Sequence, residues 1–377
     1  MAGKRDHGDG GIDARGPERW RLRWRVDGKR FTKSFHGTKK AAQVELRRLL
    51  KSADDGAHIA PDKTTLVEYL RGWLNVSDDL SPKTLERYRQ LAEQQIIPHL
   101  RATVLQNLRP AQIQKWHTTL LKSGGAGGRP LSARTVGHAH RVLHRALERA
   151  LRLEIVVRNA VSAVRAPKVE AVEVAILSPA QIIDVLDQLD GHPLHPIVAF
   201  ALGTGMRRGE ICALAWEATD LAAGVVRVER SLEETAEGLR FKPPKTRHGR
   251  RTINIPANVI EILSAHRRRQ AELRMALGMG RPAPSDLVFS LPEGQPYSPD
   301  KLSRDWGNVV RAKNLPRVMF HAMRHSHASA LIAAGLDVVT ISRRLGHGSP
   351  AITLGVYAHV FGETDQAAAR AIDAAMR

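Results

Sequence analysis

Apolar positions along the chain follow two different periods, and the change from one to the other divides the sequence. In Arg19-Trp20-Arg21-Leu22-Arg23-Trp24-Arg25-Val26 the arginines take the odd positions and the apolar residues the even ones. Strict alternation predicts a β-strand with one packed face and one face of guanidinium groups. Asp27-Gly28 predicts a tight hairpin, Arg30-Phe31-Thr32-Lys33-Ser34-Phe35 the return strand, and Thr38 the N-cap of a helix ending near Gly56. The preceding stretch, residues 1 to 16, is rich in glycine and charge and is expected to be disordered.

From residue 64 the period becomes helical. Leu66, Leu70, Trp73 and Leu74 share one face. Ser81-Pro82 opens a second helix carrying Leu85, Tyr88, Leu91, Gln95 and Ile96, which Pro98 is expected to stop. Ile113, Trp116 and Leu120 mark a third helix, closed by Gly124-Gly125. Ser132 opens a fourth, with Val136, Ala139, Leu143, Ala146, Leu147 and Ala150 facing inward and Arg134, Arg141, Arg145, Arg149 and Arg152 on the other side. Residues 163–177, with Pro167 and little periodicity, read as a linker. Ser178-Pro179 starts a further helix, strands are predicted over 224–230 and 251–255 with a basic segment between them, and helices dominate the rest. The expected fold is mainly α with small β elements. The expected division is 1–60, a small sheet-and-helix module; 64–165, a helical domain; and 176–377, a mixed, mostly helical domain.

Charge sharpens this picture. Lys and Arg total 58 against 38 Asp and Glu, a formal net charge of +20, which favours a polyanionic partner. Arg19, Arg21, Arg23 and Arg25 on one strand face would repel one another without an anion to face. Arg141, Arg145 and Arg149 form a stripe suited to a phosphate backbone. Both sets are candidate DNA contacts; a solvated basic face is the rival reading. Cys212, the only cysteine, lies in an apolar run and reads as a buried inert thiol. With no second cysteine for an internal disulfide, a reducing cytoplasm is the default expectation. No apolar run is long enough to span a membrane, and the N-terminus has no apolar core of a secretory signal. The glycine-rich stretch Gly124 to Gly128 lacks the Gly-Lys-Ser/Thr of a nucleotide loop, so it implies a flexible connection and no ATP.

Four segments carry candidate chemistry. Thr204-Gly205-Met206-Arg207 presents an arginine at a glycine turn. Pro243-Pro244-Lys245-Thr246-Arg247 is a basic turn between strands. His321-Ala322-Met323-Arg324-His325 places His321 and Arg324 three apart on one helix face. Leu345-Gly346-His347 breaks a helix, and Ser349-Pro350 restarts one that carries Tyr357 two turns on. Singly, each has an ordinary structural reading. His321, His325 and His327 have spacing that could suit zinc, yet the glutamate of the metalloprotease motif is absent and Arg324 stands among them, so no metal is expected.

Taken together and in this order, the segments resemble the signature of tyrosine recombinases: Thr-Gly-x-Arg, Lys-Thr in a strand turn, His-x-x-Arg-His, Leu-Gly-His, then Tyr about ten residues on. Met323 stands where leucine is common and Gly348 where serine is common, and neither change removes a chemical group. The resemblance covers the final domain and extends more loosely to the helical domain, similar to the family's core-binding domain; the basic module is similar to the arm-type DNA-binding domain of phage and conjugative-element integrases. It implies six catalytic positions: Arg207, Lys245, His321, Arg324, His347 and Tyr357. It further implies attack by Tyr357 on a DNA phosphodiester, with Arg207 and Arg324 gripping the non-bridging oxygens. His321 would take the tyrosine proton, Lys245 would protonate the leaving 5′-oxygen, and His347 would bond a phosphate oxygen. The implied product is a 3′-phosphotyrosine, formed without cofactor or obligatory metal. The implied partners are double-stranded attachment sites, a homotetramer on DNA, and accessory bending or directionality factors. The rivals are a type IB topoisomerase, which shares the chemistry, and a non-catalytic DNA-binding protein.

Overall fold

The alternating arginine segment does form a strand, central in an antiparallel sheet of β1 (Gly11–Gly16), β2 (Arg19–Val26) and β3 (Lys29–His36). Its even positions face α1 (Lys39–Asp54), where Leu22 and Trp24 pack with Ala42 and Leu46 in a small core. Trp24 lies opposite Phe31 and stacks on it, ring centroids 5.9 Å apart, a cross-strand pair that pins the register. Lys33 reaches from β3 to Glu45 of α1 at 2.8 Å. The computed structural model describes residues 10–26, 28–54, 60, 62–170, 175–244, 247–357 and 372–376. The expectation of disorder up to residue 16 is corrected by β1, which pairs along β2 with Ile12 opposite Leu22. Composition misled there because the strand is held by ladder hydrogen bonds to β2, which its own residues do not announce. Residues 1–9, the rest of that expectation, lie outside the described residues, as does Asp27 of the hairpin; Gly28 supplies a φ of +74°, which favours glycine.

The helical segment packs α2 (Leu66–Asn75), α3 (Pro82–Leu91), α4 (Ile97–Leu100), α5 (Pro110–Ser123) and α6 (Ala133–Arg152) around one apolar core. Thr65 and Glu68 cap α2 reciprocally. Pro98 does not stop the second helix as expected. A single π turn, Ala92–Ile96, carries the chain into α4, and the Trp116 indole N–H donates to the Gln95 carbonyl at 2.7 Å. A π turn shifts the hydrogen-bond register, so one more helical turn is accommodated around a residue with no N–H. In α6 the residues read as inward-facing are buried and Arg134, Arg141, Arg145, Arg149 and Arg152 are exposed.

The chain divides into two compact units, Met1–Ala171 and Val172–Arg377. The second contains α7 (Pro179–Gln188), α8 (His195–Thr204), α9 (Arg208–Cys212), β4 (Thr219–Asp220), β5 (Val225–Val228), β6 (Ser231–Thr235), β7 (Gly238–Lys242), β8 (Arg251–Asn254), α10 (Ala257–Ala276), α11 (Pro299–Ala312), α12 (Ala322–Ala333), α13 (Val338–Leu345) and α14 (Pro350–Tyr357). Strands β4, β5 and β8 form one antiparallel sheet and β6–β7 a separate hairpin. Helix α8 is apolar nearly all round and is buried along most of its length, as a central helix must be. Cys212 is buried, and burial pushes its thiol up to about 12, in keeping with an inert core residue. A second apolar cluster of Ala328, Ile332, Ile341, Leu345 and Tyr357 ties together α12, α13 and α14. The described residues include no helix long and apolar enough to cross a membrane.

Candidate active site

The site is built where the ends of α8, α13 and α14 meet the start of α12. Helix α8 stops at Gly205, whose φ of +63° and whose neighbour His327, 2.5 Å from where a Cβ would stand, admit only glycine. The turn leaves Arg207 as the extended residue before α9. Glu210 accepts the Arg207 backbone N–H at 3.0 Å and its Nη1 at 2.8 Å, and the same buried carboxylate takes Arg251 Nη2 at 3.0 Å. Burial works to raise the Glu210 pKa, but Arg251 and Arg207 outweigh it and hold the group below the usual carboxylate range.

Arg324, on the first turn of α12, is 5% exposed. Its Nη1 donates to the Gly205 carbonyl and its Nη2 to the Leu345 carbonyl, each at 2.8 Å. Arg207 Nη2 donates to the next carbonyl, Gly346, also at 2.8 Å. Two guanidinium groups thus grip consecutive carbonyls of the turn that ends α13. That turn needs its glycine: Gly346 has φ +68°, and a Cβ would stand 2.9 Å from Arg251 Nη1 and from the His248 carbonyl. Burial, then Arg207 and Arg251, bring the Arg324 pKa down to about 9, so it remains largely cationic near neutrality.

His347 follows the gripped turn, and its Nδ1 lies 2.8 Å from the hydroxyl of Thr353 on α14. One helical turn beyond Thr353 is Tyr357, 3% exposed. Its hydroxyl is 2.8 Å from Nδ1 of His325. Burial pushes the phenol up to about 12, partly opposed by Arg324. His321 opens to solvent, with its ring edge-on to His325 at 5.3 Å between centroids. Desolvation on its packed side, followed by His325 and Arg324, brings its pKa to about 4; burial and the surrounding arginines do the same for His347. These imidazoles are therefore neutral at pH 7.

Arg207, His321, Arg324, His347 and Tyr357, five of the positions picked out in the sequence, are thus brought within electrostatic reach of one another. Lys245 lies outside the described residues. The residue that sequence reasoning did not place at the tyrosine is His325: it read as part of the His-x-x-Arg-His motif and as one of three closely spaced histidines, and nothing in the sequence said that α14 would bring Tyr357 to it. Arg251, which shares Glu210 with Arg207, carried no signal beyond lying in a basic segment. His327 is turned away, with Nδ1 2.7 Å from the Leu202 carbonyl and Nε2 accepting from Arg344 Nε at 3.0 Å, so both ring nitrogens are engaged by protein. Chemically, the arrangement offers two fixed cations, neutral imidazoles and one buried phenol. That set can hold an anionic, tetrahedral or trigonal-bipyramidal oxyanion beside a hydroxyl nucleophile.

Comparison with known proteins identifies the family. The Phage integrase family model matches residues 178–363, and the Phage integrase, N-terminal SAM-like domain model matches residues 65–121. An integrase of Streptomyces ambofaciens is 30% identical over 382 aligned positions, covering 95% of this chain and 94% of the relative. The chain belongs to the phage integrase family of tyrosine recombinases. Members of this family are enzymes that cut and rejoin DNA. A XerC-like tyrosine recombinase of Caldanaerobacter subterraneus subsp. tengcongensis is 26% identical, covering 89% of each chain. Among solved structures, the Tn1549 transposon integrase in complex with transposon right end DNA gives a TM-score of 0.67 at 22% identity, covering 81% of this chain and 98% of that one. A lambda integrase dimer bound to a COC′ core site gives 0.56 at 18%, covering 96% and 97%. At these identities the two structures establish the fold, mostly helical with small sheets.

In this tyrosine recombinase the basic faces are partly engaged. Arg19, Arg21 and Arg25 are exposed, while Arg23 bonds Asp13 at 2.8 Å. Arg30, opposite Arg25, adds a cation to the same sheet face. Arg141 and Arg149 are exposed; Arg145 pairs with Asp79 at 2.5 Å and lies 6.0 Å from the centre of the Tyr88 ring. Burial, then the charges of Arg141, Arg87 and Arg134, lower the pKa of His138, so Arg87 stands close enough to act on the same residue as the α6 arginines. Arg87 comes from α3, which no periodicity within α6 could reveal.

Proposed function

We propose that this integrase recombines double-stranded attachment sites through a covalent 3′-phosphotyrosine at Tyr357. The observation that carries the reading is the buried Tyr357 hydroxyl, aligned on a histidine nitrogen at 2.8 Å and electrostatically coupled to Arg324. Arg207 and Arg324 act on the scissile phosphate. A guanidinium has five N–H donors, and each of these groups has donors left after serving the turn carbonyls. They stabilise charge that grows on the non-bridging oxygens, a role in which one lost donor costs about 2.7–4 kcal/mol. His347, fixed through Thr353, donates to a phosphate oxygen, and Lys245 protonates the leaving 5′-oxygen. A 5′-hydroxyl from a second duplex then attacks the phosphotyrosine and reverses the chemistry, so the bond energy is conserved without ATP.

In the same reading, residues 1–60 bind arm sites through Arg19, Arg21, Arg23 and Arg25. Residues 64–165 bind the core site through Arg141, Arg145 and Arg149, and residues 176–377 cut it. Four copies assemble on two sites, with accessory bending or directionality factors as further partners. The test is Tyr357→Phe, which keeps the ring and removes the nucleophile. It is expected to bind core-site DNA like the wild type and to yield no covalent complex on denaturing gels with a nicked site. A covalent complex in this variant would remove Tyr357 from the reaction.

A further inference from the structure

A phenol that attacks phosphorus must lose its proton, and the position of His325 decides where that proton goes. The Tyr357 hydroxyl is 2.8 Å from His325 Nδ1, with ring centroids 5.7 Å apart. His321, which the sequence signature suggested for this task, makes no side-chain hydrogen bond to a described residue and stands edge-on to His325. His325 is half-buried, whereas His321 is exposed. On the reading of Tyr357 as nucleophile, we infer that His325 is the catalytic base: its Nδ1 lone pair takes the Tyr357 proton as the phenolic oxygen bonds to phosphorus.

In this step the Tyr357 O–H bond breaks and its proton passes to Nδ1, giving an imidazolium with Nε2–H already in place. The O–P bond forms, the P–O5′ bond breaks, and the 5′-oxygen leaves with a proton from a separate acid, the role given above to Lys245. On rejoining, His325 returns the proton to the departing tyrosine, so the cycle consumes none. A concerted transfer is required because a phenol held near pKa 12 is ionised to only about one part in 10⁵ at pH 7. Burial, then Arg324, keep His325 below its ordinary pKa, so the lone pair is present at neutral pH. His321 is then left free to contact the phosphate or the leaving strand.

His325→Asn tests this, because the Asn amide can occupy the Nδ1 position and partner the hydroxyl but cannot take a proton. The probe is the core site from the DNA flanking the gene, nicked beside the scissile phosphate, made once with the normal 5′-oxygen and once with a bridging 5′-sulfur that leaves without protonation. We expect His325→Asn to bind the site normally and to form adduct at least about 100-fold more slowly on both substrates. A rate near wild type, or a defect that the sulfur substrate repairs, would overturn the assignment. His325→Ala gives a second measure: added imidazole should raise its adduct rate, and a DNA-binding variant whose rate ignores imidazole also overturns it. Wild-type adduct at Tyr357 with an unimpaired His325→Asn sinks this inference alone, whereas adduct in Tyr357→Phe sinks the nucleophile reading beneath it.

Discussion

Arg207 and Arg324 each have partners within the protein and, on the proposed function, a phosphate partner as well, and that duality sets what their removal does. Part of each guanidinium is bound to protein: Arg324 to the Gly205 and Leu345 carbonyls, Arg207 to Glu210 and the Gly346 carbonyl. In the proposed reaction the remaining donors serve the scissile phosphate. Arg207→Ala and Arg324→Ala are therefore expected to slow adduct formation by roughly 100-fold to 1000-fold, the effect of losing one transition-state donor. Core-site affinity in band-shift assays should change far less, because the proposed interface has many other cations to hold the backbone. Equal losses in the two assays would make these arginines ordinary phosphate anchors. The Arg324 variant should also lower the thermal midpoint more than the Arg207 variant, since Arg324 is the more buried and its removal leaves two carbonyls without donors. At this scale the sequence was informative about identity and silent about partners. Thr-Gly-x-Arg and His-x-x-Arg-His pointed to the arginines by residue type and spacing. The hydrogen bonds of Arg207 to Gly346, 139 residues away, and of Tyr357 to His325, 32 away, depend on how separate helices pack.

Elements were legible where one chain segment carries its own pattern. Helix α6 announced its buried and basic faces through 3.6-residue spacing, and β2 announced its faces through alternation. Hairpin β6–β7 was not foreseen. Ser231-Leu232-Glu233-Glu234-Thr235 has few residues that favour strands, and its pairing is supported by partners outside the segment, Lys242 on Glu233 and Ser298 on Glu234. Helix α6 also carries a polar feature inside an apolar face. His140 is buried against His117 of α5, Nδ1 to Nε2 3.2 Å. Burial, then His117, His144 and Arg141, lower the His140 pKa from 6.5 to about 4, and burial lowers that of His117. The unfolded chain binds these protons more readily than the folded one. Their contribution to stability is therefore fully present above about pH 6.5 and declines as pH falls toward 4. The thermal midpoint of the 64–165 segment should drop between pH 7 and pH 5, and His140→Asn should flatten that dependence. An unchanged slope in the variant would assign the acid sensitivity to other groups.

Across the whole molecule, the excess of basic residues and its placement argue for separate roles of the two ends of the chain. The module built on β2 has its own apolar core of Leu22, Trp24, Ala42 and Leu46, and every proposed catalytic position lies beyond residue 200. Removing residues 1–60 should leave cleavage of a core site within a few-fold of wild type and abolish recombination that depends on arm sites. The truncated protein should also show a shallower dependence of DNA affinity on salt, by about 0.9 in the logarithmic slope for each phosphate it no longer neutralises. A truncated protein that binds core DNA and cannot cut it would show that the module supports catalysis directly. The consecutive carbonyls gripped by Arg207 and Arg324 have a further consequence, for a chain still being made. At about 5–20 residues per second a ribosome adds Gly346 roughly 7–28 s after Arg207, the interval set by the 139 residues between them. The proposed nucleophile at 357 is later still. On the proposed function, a polypeptide that ends before Gly346 lacks both the brace of Arg207 and the tyrosine at 357, so such a fragment is expected to bind DNA through its basic faces and to form no covalent adduct.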